Sequence, residues 1–193
     1  MASTIFVLVL RIALIGLTAA HTARVRRVLP GGLISTCLTS LATGVAGAFP
    51  ILVHLVFSTK NRGPLLTDDI RDELHAYIGG IVENKKGTLL KAGSVADHIH
   101  LLIAHPRTCG PSELVQEIKM GSSKWLKVKS VGNADFHWQS GYGIFSISPT
   151  HRASLEQYIG NQEEHHRKVT FQDEYRRLLN KYGIHFDERY VWD

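Results

Sequence analysis

Cysteine is almost missing from this chain, which has only Cys37 and Cys109. They form no zinc-type spacing and are too few for a disulfide framework, so a zinc knuckle and a stapled secreted scaffold are both excluded and a cytoplasmic setting is expected. Acidic residues are absent from the first fifty positions, which carry Arg11, Arg24, Arg26 and Arg27. That asymmetry produces most of the formal net charge of +5, because without those four the remainder holds 18 basic against 17 acidic side chains. Net charge therefore argues little for a polyanionic partner, and any such surface must come from local clustering. Internal repeats and low-complexity tracts are absent as well.

The first fifty residues differ from the rest. Ile5 to Leu10 and Ile12 to Leu17 are apolar, but Arg11 splits them and Met1-Ala2-Ser3-Thr4 lacks a basic residue, which makes a poor signal peptide. The uncharged stretch Gly31 to Val53 is long enough to span a bilayer, yet it is rich in Gly, Ser and Thr and its end is needed as a strand. Residues 1–48 are expected to be an N-terminal extension outside the domain, residues 51–193 to be the domain itself, and no membrane partner is expected.

From Ile51 onward the pattern reads strand, helix, strand, strand, helix, strand, helix, helix. Ile51, Val53, Leu55 and Phe57 alternate; Thr67 precedes a helix carrying Ile70, Leu74, Tyr77, Ile78 and Ile81 at helical spacing. Thr88 to Val95 and His98 to Ala104 read as an antiparallel pair, a helix runs from Pro111 to about Lys127, and Phe145 to Ser148 ends another strand. Two helices close the chain, the second spaced by Phe171, Tyr175, Leu178, Leu179 and Tyr182. The fold class is α+β, a sheet with helices mainly on one face.

Within the third strand, His98-Ile99-His100 is the most informative tripeptide. Strand side chains alternate, so Ile99, Leu101 and Ile103 face one way while His98 and His100 lie side by side on the other. Such a pair is either a hydrogen-bonded structural element or a metal or phosphate site. Further on, Ser148-Pro149 reads as an N-cap and first helical position, and on the helix that follows, Tyr158 and Gln162 are four apart and share a face.

Asp97-His98-Ile99-His100-Leu101-Leu102, with Tyr158-Ile159-Gly160-Asn161-Gln162 about sixty positions later, resembles the single-strand tyrosine transposases with a histidine-hydrophobe-histidine motif. Their relatives include transposases of small insertion sequences and enzymes associated with repetitive extragenic palindromes. Further agreement comes from His54 to Arg62, Trp138 to Gly143 and Asp187 to Trp192, so that the resemblance covers about residues 51 to 193. It implies a ferredoxin-like sheet with the histidines on a central strand and the catalytic tyrosine on a C-terminal helix. It also implies Tyr158 as nucleophile, His98, His100 and Gln162 as ligands of Mg²⁺ or Mn²⁺, a covalent 5′-phosphotyrosine intermediate, single-stranded DNA with a hairpin as substrate, and a homodimer. Zn²⁺ would bind the histidines well and is expected to inhibit.

Lys60, Arg62, Lys119, Lys124, Lys127 and Arg152 are the candidate DNA-binding cations, each of which taken singly reads as a solvated side chain. Trp125 and Trp138 read as core, His54 as a satisfied core histidine, Asp97 as a turn residue able to orient a histidine, and His165-His166 as an exposed helix end. Two other functions fit parts of the pattern. A histidine-triad nucleotide hydrolase would need a third histidine at Leu102, and a non-catalytic nucleic-acid-binding relic would not need Tyr158, His98, His100 and Gln162 intact.

Overall fold

A computed structural model of the chain describes residues 51–129 and 134–192. The extension expected over residues 1–48 lies outside them. Four strands, β1 (Ile51–Ser58), β2 (Thr88–Ser94), β3 (His98–His105) and β4 (Gly143–Ile147), form one sheet in the order β2-β3-β1-β4. Every neighbouring pair is antiparallel. Helix α1 (Asp68–Asn84) joins β1 to β2 and helix α2 (Pro111–Lys129) joins β3 to β4. This β-α-β-β-α-β order with its two crossovers is the ferredoxin-like arrangement that the resemblance implies, within the α+β class that the sequence pattern predicts.

The two long helices cover one face. Val53, Leu55 and Phe57 of β1 and Ile99, Leu101 and Ile103 of β3 pack there against Ile70, Leu74, Ile78 and Val82 of α1 and Leu114, Val115, Ile118 and Leu126 of α2. The α1 stripe follows strict i+4 spacing, which leaves Tyr77, counted with the apolar face from its position, 39% exposed and stacked on Trp125 at 5.5 Å. Trp138 is core as expected, its indole Nε1 donating to Ser122 Oγ at 2.9 Å.

The opposite face carries the histidines and is covered by the C-terminal helices α3 (Arg152–Gly160), α4 (Gln162–His166) and α5 (Phe171–Lys181). Leu52 and Leu102 pack on Ile159 of α3, and Val56 and Phe145 pack on Phe171, Tyr175 and Leu179 of α5. Ser148 begins a single 3-10 turn over Pro149–His151, its side chain accepting from the Thr150 amide, before α3 starts at Arg152. Tyr182, expected in the core by spacing, stays 36% exposed with its ring against Phe145 at 4.7 Å. Among the described residues no helix is long and apolar enough to cross a membrane.

Candidate active site

The β1–β3 register sets the histidines in place. Val56 pairs with His100 and His54 with Leu102, so His54 and His100 are diagonal neighbours on one face. His54 Nε2 lies 3.0 Å from His100 Nδ1, with the rings stacked at 5.2 Å. Both are fully buried, and burial first, then the like-charge neighbour, holds each well below the ordinary imidazole value, so both are neutral. The expected core histidine thus orients its neighbour. At the head of β3, His98 Nδ1 donates to Asp97 Oδ1 at 2.7 Å, so Asp97 is more than a turn residue. Burial, the largest single influence, works to raise the Asp97 carboxyl, but the His98 hydrogen bond together with the electrostatic pull of His98, His166 and Arg62 keeps that group below its ordinary value.

Two groups overlooked in the sequence meet them. His166, expected at an exposed helix end, turns inward with its side chain 11% exposed. Its Nδ1 donates to the Val169 carbonyl at 2.8 Å, and its Nε2 lies 2.9 Å from Nε2 of His98. The physical reason is a break at Asn161 (φ −104°, ψ 22°), which ends α3 and redirects α4. Glu174 of α5 is buried, with Oε2 3.1 Å from His166 Nε2, 3.3 Å from His100 Nε2 and 3.8 Å from His98 Nε2. Burial pushes its carboxyl up to about 7, and the same cause takes His166 down to about 4. Glu174 had a sequence signal: it stands three residues after Phe171 and four before Leu178, a carboxylate on an apolar stripe.

Tyr158 donates its hydroxyl to the other oxygen of Glu174, Oε1, and its ring lies 6.0 Å from that of His100. Its half-buried side chain also lines an open cleft of about 630 Å³ with Gln157, Asn161, His165 and Lys168. Gln162 is buried beside it, its Nε2 donating to the Tyr158 carbonyl at 3.5 Å while Oε1 has no hydrogen-bond partner. Leu102 is fully buried against Leu52 and Ile159, so the position a histidine triad would need is apolar core.

The donor atoms argue for a cation. His98 and His166 each have Nδ1 against an oxygen acceptor, so in the neutral rings the two Nε2 atoms, 2.9 Å apart, are both acceptors, an arrangement that a bound cation satisfies. His100 Nε2 and Glu174 Oε2 are buried without a hydrogen-bond partner. The ligand atoms of His98, His100, His166 and Glu174 all lie within 4.8 Å of one another, a cluster that can bind a metal ion.

The expected basic groove is divided. Lys124 and Lys127 sit on α2, which the crossover puts on the sheet face opposite the histidines, so they do not line this site. Lys119 is half-buried and donates to the carbonyls of Gln139, Ser140 and Gly141 at 2.6, 3.2 and 2.9 Å, which ties down that loop; burial lowers it to about 8. Lys60 and Arg62 are exposed just beyond β1, where the Thr59 amide bonds the Asp97 carbonyl at 2.8 Å, at the His98 end of the site. Arg152 is exposed at the start of α3 and pairs with Glu156 at 2.7 Å.

Over residues 48–162 the chain matches the family described as Transposase IS200 like, and it belongs to that family of DNA-processing enzymes. The ISDra2 transposase TnpA of Deinococcus radiodurans is 27% identical over 119 residues, which is 58% of this chain and 83% of that protein. The transposase for insertion sequence element IS200 of Salmonella typhimurium is 26% identical over 117 residues, 58% of this chain and 76% of that protein. Among solved structures, a transposase from Deinococcus radiodurans R1 is 24% identical with a TM-score of 0.48, covering 62% of this chain and 95% of that one. A REP-associated tyrosine transposase bound to a REP hairpin is 16% identical with a TM-score of 0.48, covering 64% of this chain and 74% of that one.

Proposed function

We propose that this transposase cleaves and rejoins single-stranded DNA through a covalent 5′-phosphotyrosine on Tyr158. The observation that carries the reading is that one carboxylate, Glu174, accepts the Tyr158 hydroxyl on one oxygen and faces three imidazole Nε2 atoms with the other. Nucleophile and candidate ligands therefore address one point. A free phenol has a pKa of about 10 and attacks phosphorus poorly without help. Glu174, lifted toward neutrality by burial, is placed to take the phenolic proton as the tyrosine oxygen bonds to phosphorus. The bond from phosphorus to the 3′ oxygen breaks, that oxygen takes a proton from solvent, and the phosphate ester is kept on the enzyme, so rejoining by the reverse attack needs no ATP.

His98, His100 and Gln162 are the residues we assign to a divalent ion, Mg²⁺ or Mn²⁺, during cleavage; the unpartnered Oε1 of Gln162 and Nε2 of His100 fit that task. When bound, the ion would offset charge developing on the non-bridging phosphate oxygens. Asp97 and His54 hold the two rings through Nδ1, so that each Nε2 stays directed into the cluster at Glu174 Oε2. Lys60, Arg62 and Arg152 supply cations for the strand, and the cleft beside Tyr158 accepts unpaired backbone next to a hairpin. The setting is cytoplasmic. Tyr158 stands beside the histidines of its own chain, so the proposed adduct chemistry needs one chain, and a homodimer is part of the proposal only as the assembly expected from the resemblance.

The test is incubation of the full chain with a hairpin-bearing single strand and Mn²⁺, with denaturing electrophoresis to detect a protein–DNA conjugate. A conjugate lost in Tyr158→Phe supports the reading, and one that persists in the variant refutes it.

A further inference from the structure

We propose that in the DNA-free chain His98, His100, His166 and Glu174 together hold one zinc-type ion in a closed, four-ligand site, with Gln162 standing aside. The proposal deepens the metal site of the function proposed above and rests on it. His166 and Glu174 both lie beyond the residues that match the family, 48–162, so nothing in that match assigns them.

Size is the first argument. Zinc bound to nitrogen and oxygen at about 2.0 Å in a tetrahedron requires donors roughly 3.3 Å apart. Four of the six separations, 2.9 Å between His98 and His166, 3.1 Å and 3.3 Å from Glu174 Oε2 to His166 and His100, and 3.8 Å from Glu174 Oε2 to His98, bracket that edge, and all six lie within 4.8 Å. Chemistry is the second. Three imidazoles and one carboxylate suit Zn²⁺ or Co²⁺, whereas Mg²⁺ prefers oxygen and keeps its waters. Support around the ligands is the third, since His98 is backed by Asp97, His100 by His54 and His166 by the Val169 carbonyl.

A closed shell has a functional cost. With four protein ligands no position is left for a phosphate oxygen, and Glu174, held on the ion through Oε2, keeps the Tyr158 hydroxyl on Oε1. Zinc loading would therefore store the enzyme with its nucleophile engaged. Cleavage requires Glu174 and His166 to give way to substrate oxygen and Gln162.

Metal-free full-length chain titrated with Co²⁺ alone, followed by visible absorption, tests this. The expected result is one Co²⁺ per chain with the intense bands of a four-coordinate ion. His166→Ala and Glu174→Gln should each lower Co²⁺ affinity at least about tenfold and abolish those bands, while Tyr158→Phe and Gln162→Ala keep them. Weak six-coordinate bands in the unsubstituted chain, or an unchanged spectrum in His166→Ala, would overturn the proposal. X-ray absorption at the zinc edge of the unsubstituted chain gives an answer independent of how the variants fold: three imidazoles support the site and two refute it. Because no DNA is present, failure here leaves the Tyr158 adduct experiment standing, and failure of that experiment leaves the cobalt spectrum standing.

Discussion

Tyr158→Phe removes one hydroxyl and keeps the ring that packs beside His54 and His100. The lost hydrogen bond to Glu174 is worth about 1 kcal/mol, so the variant should fold, bind a hairpin strand and form no covalent adduct. Calorimetry and denaturing electrophoresis check the two halves. His98→Ala and His100→Ala should weaken Mn²⁺ binding and slow cleavage severely, and Gln162→Ala should slow cleavage; excess EDTA should abolish it. Full cleavage in EDTA would remove the metal from the account. Legibility at this scale was uneven. His98 and His100 stand out because a buried strand seldom spends two adjacent same-face positions on imidazole. His166 did not, because continuing the Tyr158 helix through Asn161 carries it outward, and only the break at that residue brings it in.

Helix α3 approaches β2 so closely because Gly93 has no side chain. Gly93 pairs with His100, and a Cβ there would meet the Ile159 carbonyl oxygen at 2.1 Å and Ile159 Cγ2 at 2.9 Å. Neither backbone can yield cheaply, so Gly93→Ala should push the tyrosine helix off the sheet. The expected cost is about 1–3 kcal/mol of stability, with adduct formation falling further than the loss of folded protein explains. Thermal unfolding and single-turnover cleavage of the same sample separate the two; equal losses would mean that Gly93 serves the fold alone. The elements themselves were legible because period-2 and period-3.6 patterns alternate cleanly from Ile51 to Leu179. The face taken by each helix was not, since spacing identifies a buried stripe without saying which side of the sheet buries it. Spacing therefore groups Lys124 and Lys127 with Lys60 and Arg62, whereas the crossover sends α2 to the face opposite the histidines, where Lys127 meets His137, the residue whose carbonyl accepts from the Lys60 amide.

For the whole molecule, the domain beginning at β1 has a complete sheet with both faces covered. Deleting residues 1–48 should therefore leave a folded, cleaving protein, because Leu52, Val53, Leu55 and Val56 already anchor the first strand on both faces. Aggregation or lost cleavage after deletion would make the extension integral. From residue 51 on, 18 basic residues oppose 17 acidic ones, too even a balance to hold duplex by counterion release. In-line attack also needs a backbone free to bend.

The proposed function turns on whether Tyr158 becomes bonded to DNA. The most direct measurement is mass spectrometry of the peptide carrying Tyr158 after reaction of the full chain with a hairpin-bearing single strand and Mn²⁺, run beside the matching duplex at equal salt. The expected product is a nucleotide attached through a 5′ phosphate to Tyr158 with the single strand, and little or none with the duplex. Attachment at another residue, or equal attachment from both substrates, would contradict it.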